Sequence, residues 1–402
     1  MEDILSKLYD MTAFGGFTYQ ILLMWVIAFV LLYLGIKKQY EPLLLVPIAF
    51  GLLLANFPGG EMGIVPAENI ALEGGRYKNL FEIANEYGIM NYLYYGLIKT
   101  GFLPPIIFMG VGALTDFGPM LRNLKLSLFG SAAQIGIFTV LIVSLSVGFS
   151  LKEAASLGII GGADGPTAIY TTIKLAPHLL GPIAIAAYSY MALVPVIIPL
   201  VANLLMTKNE FKINMRQMDK QYPPKYEIKN LRTVKIIFPI VLGAVTALFV
   251  PSSVPLIGML MFGNLIKEIG AATLRLSDAA TGAILNTATI FLGLAVGATM
   301  TAEVFLSPKT LGIVVGGFIA FAISIAGGIV AVKVYNLFSK KKINPLVGAT
   351  GLSAVPMASR VANELALKHD PNNHILQYCM ASNISGVIGS AVAAGVLISF
   401  LG

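Results

Sequence analysis

The sequence has 402 residues, of which 56% are hydrophobic and only 12% are charged, and its net charge is +7. A soluble domain usually carries about 25% charged residues, so this composition excludes an ordinary soluble enzyme and is typical of a membrane protein. The charges collect in short runs between apolar stretches. The positive balance therefore indicates basic loops at a membrane face, and not a nucleic-acid-binding surface.

Apolar stretches long enough to cross a ~30 Å hydrocarbon core recur along the chain. The predicted full crossings are 18–36, 42–57, 100–115, 126–149, 182–206, 235–250, 254–268, 281–299, 310–335 and 378–401. Two further apolar stretches, the first broken segment (153–175) and the second broken segment (344–366), are rich in Gly, Pro and small polar residues. Gly and Pro release backbone groups that a lipid-facing helix must satisfy, so each is predicted to be a broken helix or a re-entrant hairpin. The expected fold is an all-α polytopic membrane protein with about ten spans.

The basic loops predict the orientation. The longest polar segment, 207–233, holds seven basic residues: Lys208, Lys212, Arg216, Lys220, Lys225, Lys229 and Arg232. The positive-inside rule places this segment and 340–343 in the cytoplasm, and 58–99 outside. All basic clusters fall on one side only if the first broken segment enters and leaves by the same face. Helices broken at the tip that still cross fully remain the alternative.

The two halves of the chain resemble each other. Pro42-Leu43-Leu44 is echoed by Pro255-Leu256-Ile257, and the run from Ile107 to Gly110 is echoed by the run from Ile290 to Gly293. Under the predicted topology the halves face opposite ways, which is the inverted repeat of many ion-coupled transporters. The predicted divisions are an N-terminal segment with the first span (1–41), a first repeat (42–206), a cytoplasmic loop (207–233) and a second repeat (234–402).

Asp164 is the strongest candidate for an ion-binding residue. It lies in GGADGPT, in the middle of the first broken segment, with no basic residue between Lys152 and Lys174. A buried unpaired carboxylate is costly, so at membrane depth it must be protonated, paired or bound to a cation. With free carbonyls and the Thr167 hydroxyl, it offers the oxygen ligands that hard cations require. The alternative is that Asp164 only caps the helix that follows.

The second broken segment supplies neutral oxygen ligands. Asn344, Thr350 and Ser353 lie among Gly348 and Gly351, where the absence of a Cβ allows close backbone approach. Unwound carbonyls at the ends of half-helices are where transporters hold Na⁺. We therefore expect the ion site where the two broken segments meet.

Two more polar side chains lie near membrane depth. Arg360 follows Ser353 by about two turns of helix, and it either extends to the cytoplasmic face or binds an anionic group. Tyr190 lies about a third of the way into a crossing, where it is either an interface anchor or a proton donor.

Together these motifs resemble a known family. GGADGPT, GNLIKE (263–268), NTATIFLGLAVGATM (286–300) and NPLVGATGLSAVPMASR (344–360) are similar to the beta subunit of sodium-pumping biotin-dependent decarboxylases, a group that acts on oxaloacetate, malonate, methylmalonyl-CoA or glutaconyl-CoA. The resemblance covers about residue 40 to the end. It implies a subunit of the cytoplasmic membrane that receives carboxybiotin, releases CO₂ and exports Na⁺ while a proton is consumed.

The resemblance also implies site residues and partners. It implies that Asp164 binds Na⁺ and that Asn344, Gly348, Ser353, Arg360 and Tyr190 are functional residues. Combined with the residue chemistry, this gives Asp164, Tyr190 and Arg360 as the residues expected to act in catalysis, with Arg360 binding carboxybiotin, and Asp164, Thr167, Asn344, Gly348 and Ser353 as the expected Na⁺ ligands. Biotin is expected on a partner subunit and not covalently on this chain. The implied partners are a biotin carrier protein or domain, a carboxyltransferase alpha subunit, a small membrane gamma or delta subunit, and further copies of this chain.

Two other classes explain part of the pattern. A secondary Na⁺/H⁺ antiporter accounts for Asp164 and the repeat equally well, and only the family motifs and Arg360 argue against it. A passive membrane anchor has no use for costly polar groups such as Asp164 and Asn344 at membrane depth.

Overall fold

A computed structural model describes residues 12–72, 76–223, 228–354 and 356–402. Lys225 of the predicted cytoplasmic loop, and the start of the predicted N-terminal segment, lie outside these ranges. Throughout the part of the chain that the structure describes, regular structure is helical and no strand is formed. The all-α prediction is confirmed.

Six helices in the described ranges are long and apolar enough to cross a membrane, and they match predicted crossings: Tyr19–Ile36, Leu124–Val147, Leu231–Phe249, Ala271–Ala298, Pro308–Phe338 and Leu376–Leu401. The number rises to eight if each of two bent apolar pairs is one span: Leu80–Ile98 with Leu103–Leu114, and Pro177–Met191 with Val194–Leu205. Two of the predicted crossings, Pro42–Ala55 and Val254–Ile269, are helices of 14 and 16 residues. These are shorter than the ~20 residues of a straight crossing, so the count of ten stays a prediction.

Shorter helices connect or interrupt these elements. They are Gly118–Arg122, Leu151–Gly158, Gly165–Leu175, Lys208–Phe211, Met215–Gln221, Ala302–Phe305, Leu346–Ala349 and Met357–His369. Some of the helices begin with a capping box. In each box the capping side chain accepts a backbone N–H of the first turn, and a Glu three residues later accepts the backbone N–H of the capping residue. The pairs are Asn79 with Glu82, Ser150 with Glu153, and Thr207 with Glu210. Burial opposes ionisation of Glu210, but hydrogen bonds from Thr207 and Lys333 outweigh it and lower the pKa of Glu210.

The described residues pack into two compact units. One comprises the described residues up to Leu103 together with Asn286–Val314, and the other comprises Pro104–Leu285 with Val315–Gly402. The second unit contains both broken segments. This division by packing does not test the predicted boundaries of the repeats, which stay predictions.

Each broken segment returns to the place where it begins. In the first, Oε1 of Glu153 near the start lies 2.8 Å from Nε2 of His178, just beyond the end. At the second, Asn344 before and Asn373 after the helices donate to the same two backbone carbonyls, those of Phe211 and Ile213. The two ends of each segment therefore lie close together, as a re-entrant hairpin requires, and their re-entry into a membrane stays a prediction.

The predicted orientation can be tested by cysteine labelling. In a Cys379→Ala background, Lys220→Cys is expected to react with an impermeant maleimide only from the cytoplasmic face, because residue 220 is exposed in the basic loop. Glu68→Cys, exposed in the predicted external segment, is the matched control and should react only from outside. Labelling of residue 220 from outside would mean that the first broken segment crosses fully.

Candidate functional site

The first broken segment stops being helical directly before Asp164. A 3₁₀ turn, Ile159–Gly162, ends at Ala163, whose φ of 55° lies in the left-handed region. A residue with a Cβ costs about 1–2 kcal/mol there, and such strain clusters at functional sites. Asp164 then returns to extended backbone and begins the helix Gly165–Leu175. Its side chain is only 4% exposed, so the carboxylate is enclosed by protein.

The two carboxylate oxygens of Asp164 have different partners. Oδ1 accepts the backbone N–H of Thr167 at 3.1 Å, which is the capping contact of the alternative interpretation. Oδ2 accepts the hydroxyl of Ser390, on the C-terminal helix, at 2.7 Å. Helix capping therefore accounts for Oδ1 only, because Oδ2 contacts the C-terminal helix.

A hydrogen-bonded chain links Asp164 to the second broken segment. The Ser390 hydroxyl lies 2.8 Å from that of Ser353. Either hydroxyl can donate this hydrogen bond, because the Ser390 hydroxyl also lies 3.0 Å from the carbonyl oxygen of Val387. The backbone N–H of Ser353 also donates to the carbonyl of Gly162 at 3.2 Å. The breaks of the two segments thus meet, and they bring Asp164, Thr167 and Ser353 together as the sequence predicts.

Gln134, which is not among the predicted site residues, also lies at this site. It interrupts the long span between helices Leu124–Ala133 and Ile135–Val147. Its Nε2 lies 3.3 Å from each of three backbone carbonyls, those of Gly130, Gly351 and Gly386. Its Oε1 is buried and accepts no hydrogen bond from the described residues. A buried acceptor without a donor requires an explanation, and a bound cation supplies one.

Tyr188, and not Tyr190, lies beside the carboxylate. A Cβ on Gly165 would approach Cε1 of Tyr188 to 2.4 Å, so the ring packs directly on the residue after Asp164. The Tyr188 hydroxyl is buried and finds no partner within the described ranges. Tyr190 points away, as residues two apart on a helix must, and packs edge-on against Phe318 with ring centroids 6.0 Å apart.

The structure does not bring Asn344 to Asp164. Its Nδ2 donates to the carbonyls of Phe211 and Ile213 at 3.0 Å each, and its Oδ1 accepts the N–H of Leu346 at 3.0 Å. All its side-chain polar groups are thereby engaged by backbone groups of Phe211, Ile213 and Leu346. A ligand role for Asn344 stays a prediction without a contact to support it.

Gly348 and Arg360 lie on either side of the second break. A Cβ on Gly348 would lie 2.0 Å from the carbonyl oxygen of Gly328, so this glycine allows contact with the helix Pro308–Phe338. Arg360 lies in the first turn of Met357–His369, is exposed, and forms no ion pair with the residues that the structure describes. Its guanidinium is available to an anion from solution.

The oxygen set suits a hard monovalent cation. Asp164 contributes one negative charge, and the other candidate ligands are neutral hydroxyls and an amide oxygen. No three His, Cys, Asp or Glu side chains cluster within the described ranges as a transition-metal site would require. A multi-pass helical protein with two broken segments meeting at one buried carboxylate belongs to the class of ion-translocating membrane proteins.

Comparison with known proteins identifies the family. The profile of the Na⁺-transporting oxaloacetate decarboxylase beta subunit matches residues 20–401. The chain is 48% identical over 407 residues to the methylmalonyl-CoA decarboxylase subunit beta of Propionigenium modestum, covering 100% of both chains. It is 45% identical to the glutaconyl-CoA decarboxylase subunit beta of Acidaminococcus fermentans, over 99% of this chain and 98% of that protein. It is 43% identical to the oxaloacetate decarboxylase beta chain of Klebsiella pneumoniae, over 94% of each.

The chain belongs to the family of Na⁺-transporting decarboxylase beta subunits. It is a multi-pass cell-membrane subunit of a sodium pump with decarboxylase activity. The family, predicted from GGADGPT and the second broken segment, is confirmed, and the antiporter alternative is not favoured.

Proposed function

We propose that this subunit cleaves carboxybiotin, delivered by a biotin carrier, and couples the cleavage to Na⁺ export with uptake of a proton. The observation that carries the proposal is the link from Asp164 through Ser390 to Ser353, which joins the two broken segments at a buried carboxylate. A carboxylate at this junction can exchange a proton for Na⁺, and the exchange connects chemistry to transport.

Na⁺ is held in this proposal by Asp164, Ser353, Ser390, Thr167 and the orphan oxygen of Gln134. The hydroxyls of Ser390 and Ser353 turn their protons away from Asp164 and present oxygen lone pairs to the ion. One carboxylate neutralises one Na⁺, so the occupied site carries no net charge in surroundings where an unpaired charge is costly. The amide of Gln134 holds the geometry through its three carbonyl contacts.

The chemical step needs a proton and a place for the carboxylate. The bond between the ureido nitrogen of biotin and the carboxyl carbon breaks, CO₂ leaves, and the nitrogen takes a proton. Arg360 attracts the carboxylate of incoming carboxybiotin at the cytoplasmic face. Asp164 supplies the proton, with Tyr188 beside it as a relay, and Tyr190 remains a candidate donor on the other face of the same helix. Na⁺ binding then favours the ionised form of Asp164.

We also propose the inverted repeat, which packing supports. In the first unit, helix Pro42–Ala55 contacts the helix ending at Ala298, where a Cβ on Gly51 would lie 2.3 Å from the Leu294 carbonyl oxygen. In the second unit, Val254–Ile269 contacts Leu103–Leu114, where a Cβ on Gly263 would lie 1.9 Å from the Met109 carbonyl oxygen. In the proposed repeat, Pro42–Ala55 corresponds to Val254–Ile269, and Leu103–Leu114 corresponds to the helix ending at Ala298. Each of the two contacts therefore joins one helix of the first repeat to one helix of the second.

The proposed partners follow from the chemistry. A carrier brings biotin to Arg360, and a carboxyltransferase alpha subunit loads that carrier. A small gamma or delta membrane subunit and further copies of this chain complete the proposed complex. The relatives are named for three different donors, and in this proposal the alpha subunit sets which donor is used.

The Na⁺ site is tested by Ser353→Ala and Ser390→Ala. Each removes one neutral oxygen, worth about 1–3 kcal/mol, and is expected to raise the Na⁺ concentration for half-maximal decarboxylation by roughly 5- to 150-fold. Ser399→Ala, an exposed serine on the same helix, is the control. CO₂ release and ²²Na⁺ uptake are measured in sealed vesicles supplied with carboxybiotin. Unchanged Na⁺ curves for both variants would remove these hydroxyls from the site, and transport without CO₂ release would restore the antiporter.

A further inference from the structure

Two buried asparagines bind the same pair of backbone carbonyls. Nδ2 of Asn344 lies 3.0 Å from the carbonyl oxygens of both Phe211 and Ile213. Nδ2 of Asn373 lies 3.1 Å from both of the same atoms. Both asparagine side chains are fully buried. Asn344 precedes the helices of the second broken segment and Asn373 follows them, so the two carbonyls join the ends of that segment.

The carbonyls belong to a cytoplasmic segment, Thr207–Tyr222, that is fastened at other points as well. Phe211 stacks on His369 with ring centroids 4.2 Å apart and planes inclined by 4°. Towards its other end, Asp219 accepts the Tyr378 hydroxyl at 2.5 Å and pairs with Lys341 at 2.6 Å. Thr207–Tyr222 therefore contacts Lys341, which precedes the second broken segment, and His369 and Tyr378, which follow it.

The two carbonyls have few other partners. Helix Lys208–Phe211 is a single turn, and among the described residues no backbone N–H outside the regular helices donates to the carbonyl of Phe211 or of Ile213. Buried acceptors left without donors cost about 1–3 kcal/mol each. The two amides satisfy both carbonyls at once, because each NH₂ group has two protons to donate.

We propose that Asn344 and Asn373 form a clamp that fixes both ends of the second broken segment to Thr207–Tyr222 and thereby positions Ser353 at the Na⁺ site. This inference rests on the proposed function. It makes Asn373 a positioning residue for transport, and it makes Asn344 act through the clamp and not as a ligand. The break holding Ser353 lies only nine residues beyond Asn344, so a shift at the clamped ends moves the hydroxyl that faces Ser390.

The clamp predicts that the two asparagines behave alike. Asn344→Ala and Asn373→Ala are each expected to speed amide hydrogen exchange in Thr207–Tyr222 and to raise the half-maximal Na⁺ concentration by a similar factor, on the order of 10-fold. Because they share both carbonyls, the double variant should shift the Na⁺ curve by no more than about threefold beyond either single variant. Asn372→Ala is the matched control: this neighbouring side chain is exposed, and it should leave exchange and the Na⁺ curve at wild-type values.

Two outcomes would overturn the inference. A Na⁺ shift in Asn344→Ala alone, with wild-type exchange in both variants, overturns the clamp and makes Asn344 a ligand. Faster exchange with unchanged Na⁺ curves overturns the positioning role. If the alanine variants do not fold, Tyr378→Phe loosens the same segment by removing one hydroxyl, and it must raise exchange around Met215–Gln221 together with the Na⁺ requirement. Hydrogen exchange is measured without turnover, so it tests the clamp separately from the proposed function. The proposed function is tested by CO₂ release and Na⁺ uptake with the wild-type chain alone.

Discussion

Asp164→Asn is expected to abolish Na⁺ transport and carboxybiotin decarboxylation together. The substitution removes the Asp164 carboxylate at the junction of the broken segments, and the proposed Na⁺ site then lacks the negative charge that balances the ion. Losing one partner of a buried charge pair costs about 3–5 kcal/mol, which predicts a loss of roughly 10²- to 10³-fold or more in both activities. ²²Na⁺ uptake and CO₂ release from carboxybiotin in sealed vesicles measure the two activities on the same preparation.

This substitution also separates ion binding from helix capping. Asparagine caps helices about as well as aspartate, so the bond from the Thr167 N–H survives and the helix Gly165–Leu175 keeps its start. Asp278→Asn, an exposed carboxylate on a short helix, is the control and should retain full activity. Transport by Asp164→Asn at a substantial fraction of the wild-type rate would show that Asp164 serves only as a cap.

The parts of the fold that could be predicted depend on local sequence. Long apolar runs specify helices such as Pro308–Phe338 whatever their neighbours, because a membrane requires about 20 apolar residues per crossing. The two breaks were predictable because Gly and Pro interrupt those runs. Asp164 was predictable because a carboxylate in an apolar run is costly enough to need a purpose.

The residues that were missed depend on tertiary contacts. Gln134 and Gly351 are 217 positions apart, and the sequence around neither residue predicts the hydrogen bond between them. Ser390 lies in a stretch of small residues that is typical of helix packing, so its contact with Asp164 had no sequence signal. For Gln134 itself a sequence signal exists, because an amide side chain within an apolar span is costly.

Asn344 is the opposite case, a residue that the sequence predicts as a ligand and that the structure directs elsewhere. A polar residue beside glycines in a broken segment has the composition of an ion ligand, but its side chain is directed to Phe211 and Ile213. Direction depends on which backbone carbonyls the fold leaves unsatisfied, and the sequence of one segment does not contain that information. The same reasoning applies to Tyr188 and Tyr190, which share one helix and face opposite sides of it.

Arg360→Ala is expected to weaken the use of carboxybiotin while leaving the Na⁺ dependence nearly unchanged. Arg360 is exposed at the start of Met357–His369, where a guanidinium attracts a carboxylate and repels Na⁺. A hydrogen bond to a charged group contributes about 1.5–3 kcal/mol, so the KM for carboxybiotin should rise by roughly 10- to 150-fold. Titrating carboxybiotin at fixed Na⁺, then Na⁺ at saturating carboxybiotin, separates the two effects.

Two further variants distinguish carboxylate binding by Arg360 from a general effect of positive charge. Arg360→Lys keeps the positive charge but loses the planar fork that binds a carboxylate through two N–H groups, so its KM should lie between those of wild type and Arg360→Ala. Arg275→Ala removes another exposed arginine and should change neither titration, which controls for the general loss of surface charge. If Arg360→Ala instead shifts the Na⁺ curve as far as Ser353→Ala does, the arginine acts on the ion site itself, and the division between a carboxylate-binding cytoplasmic face and a Na⁺-binding junction is wrong.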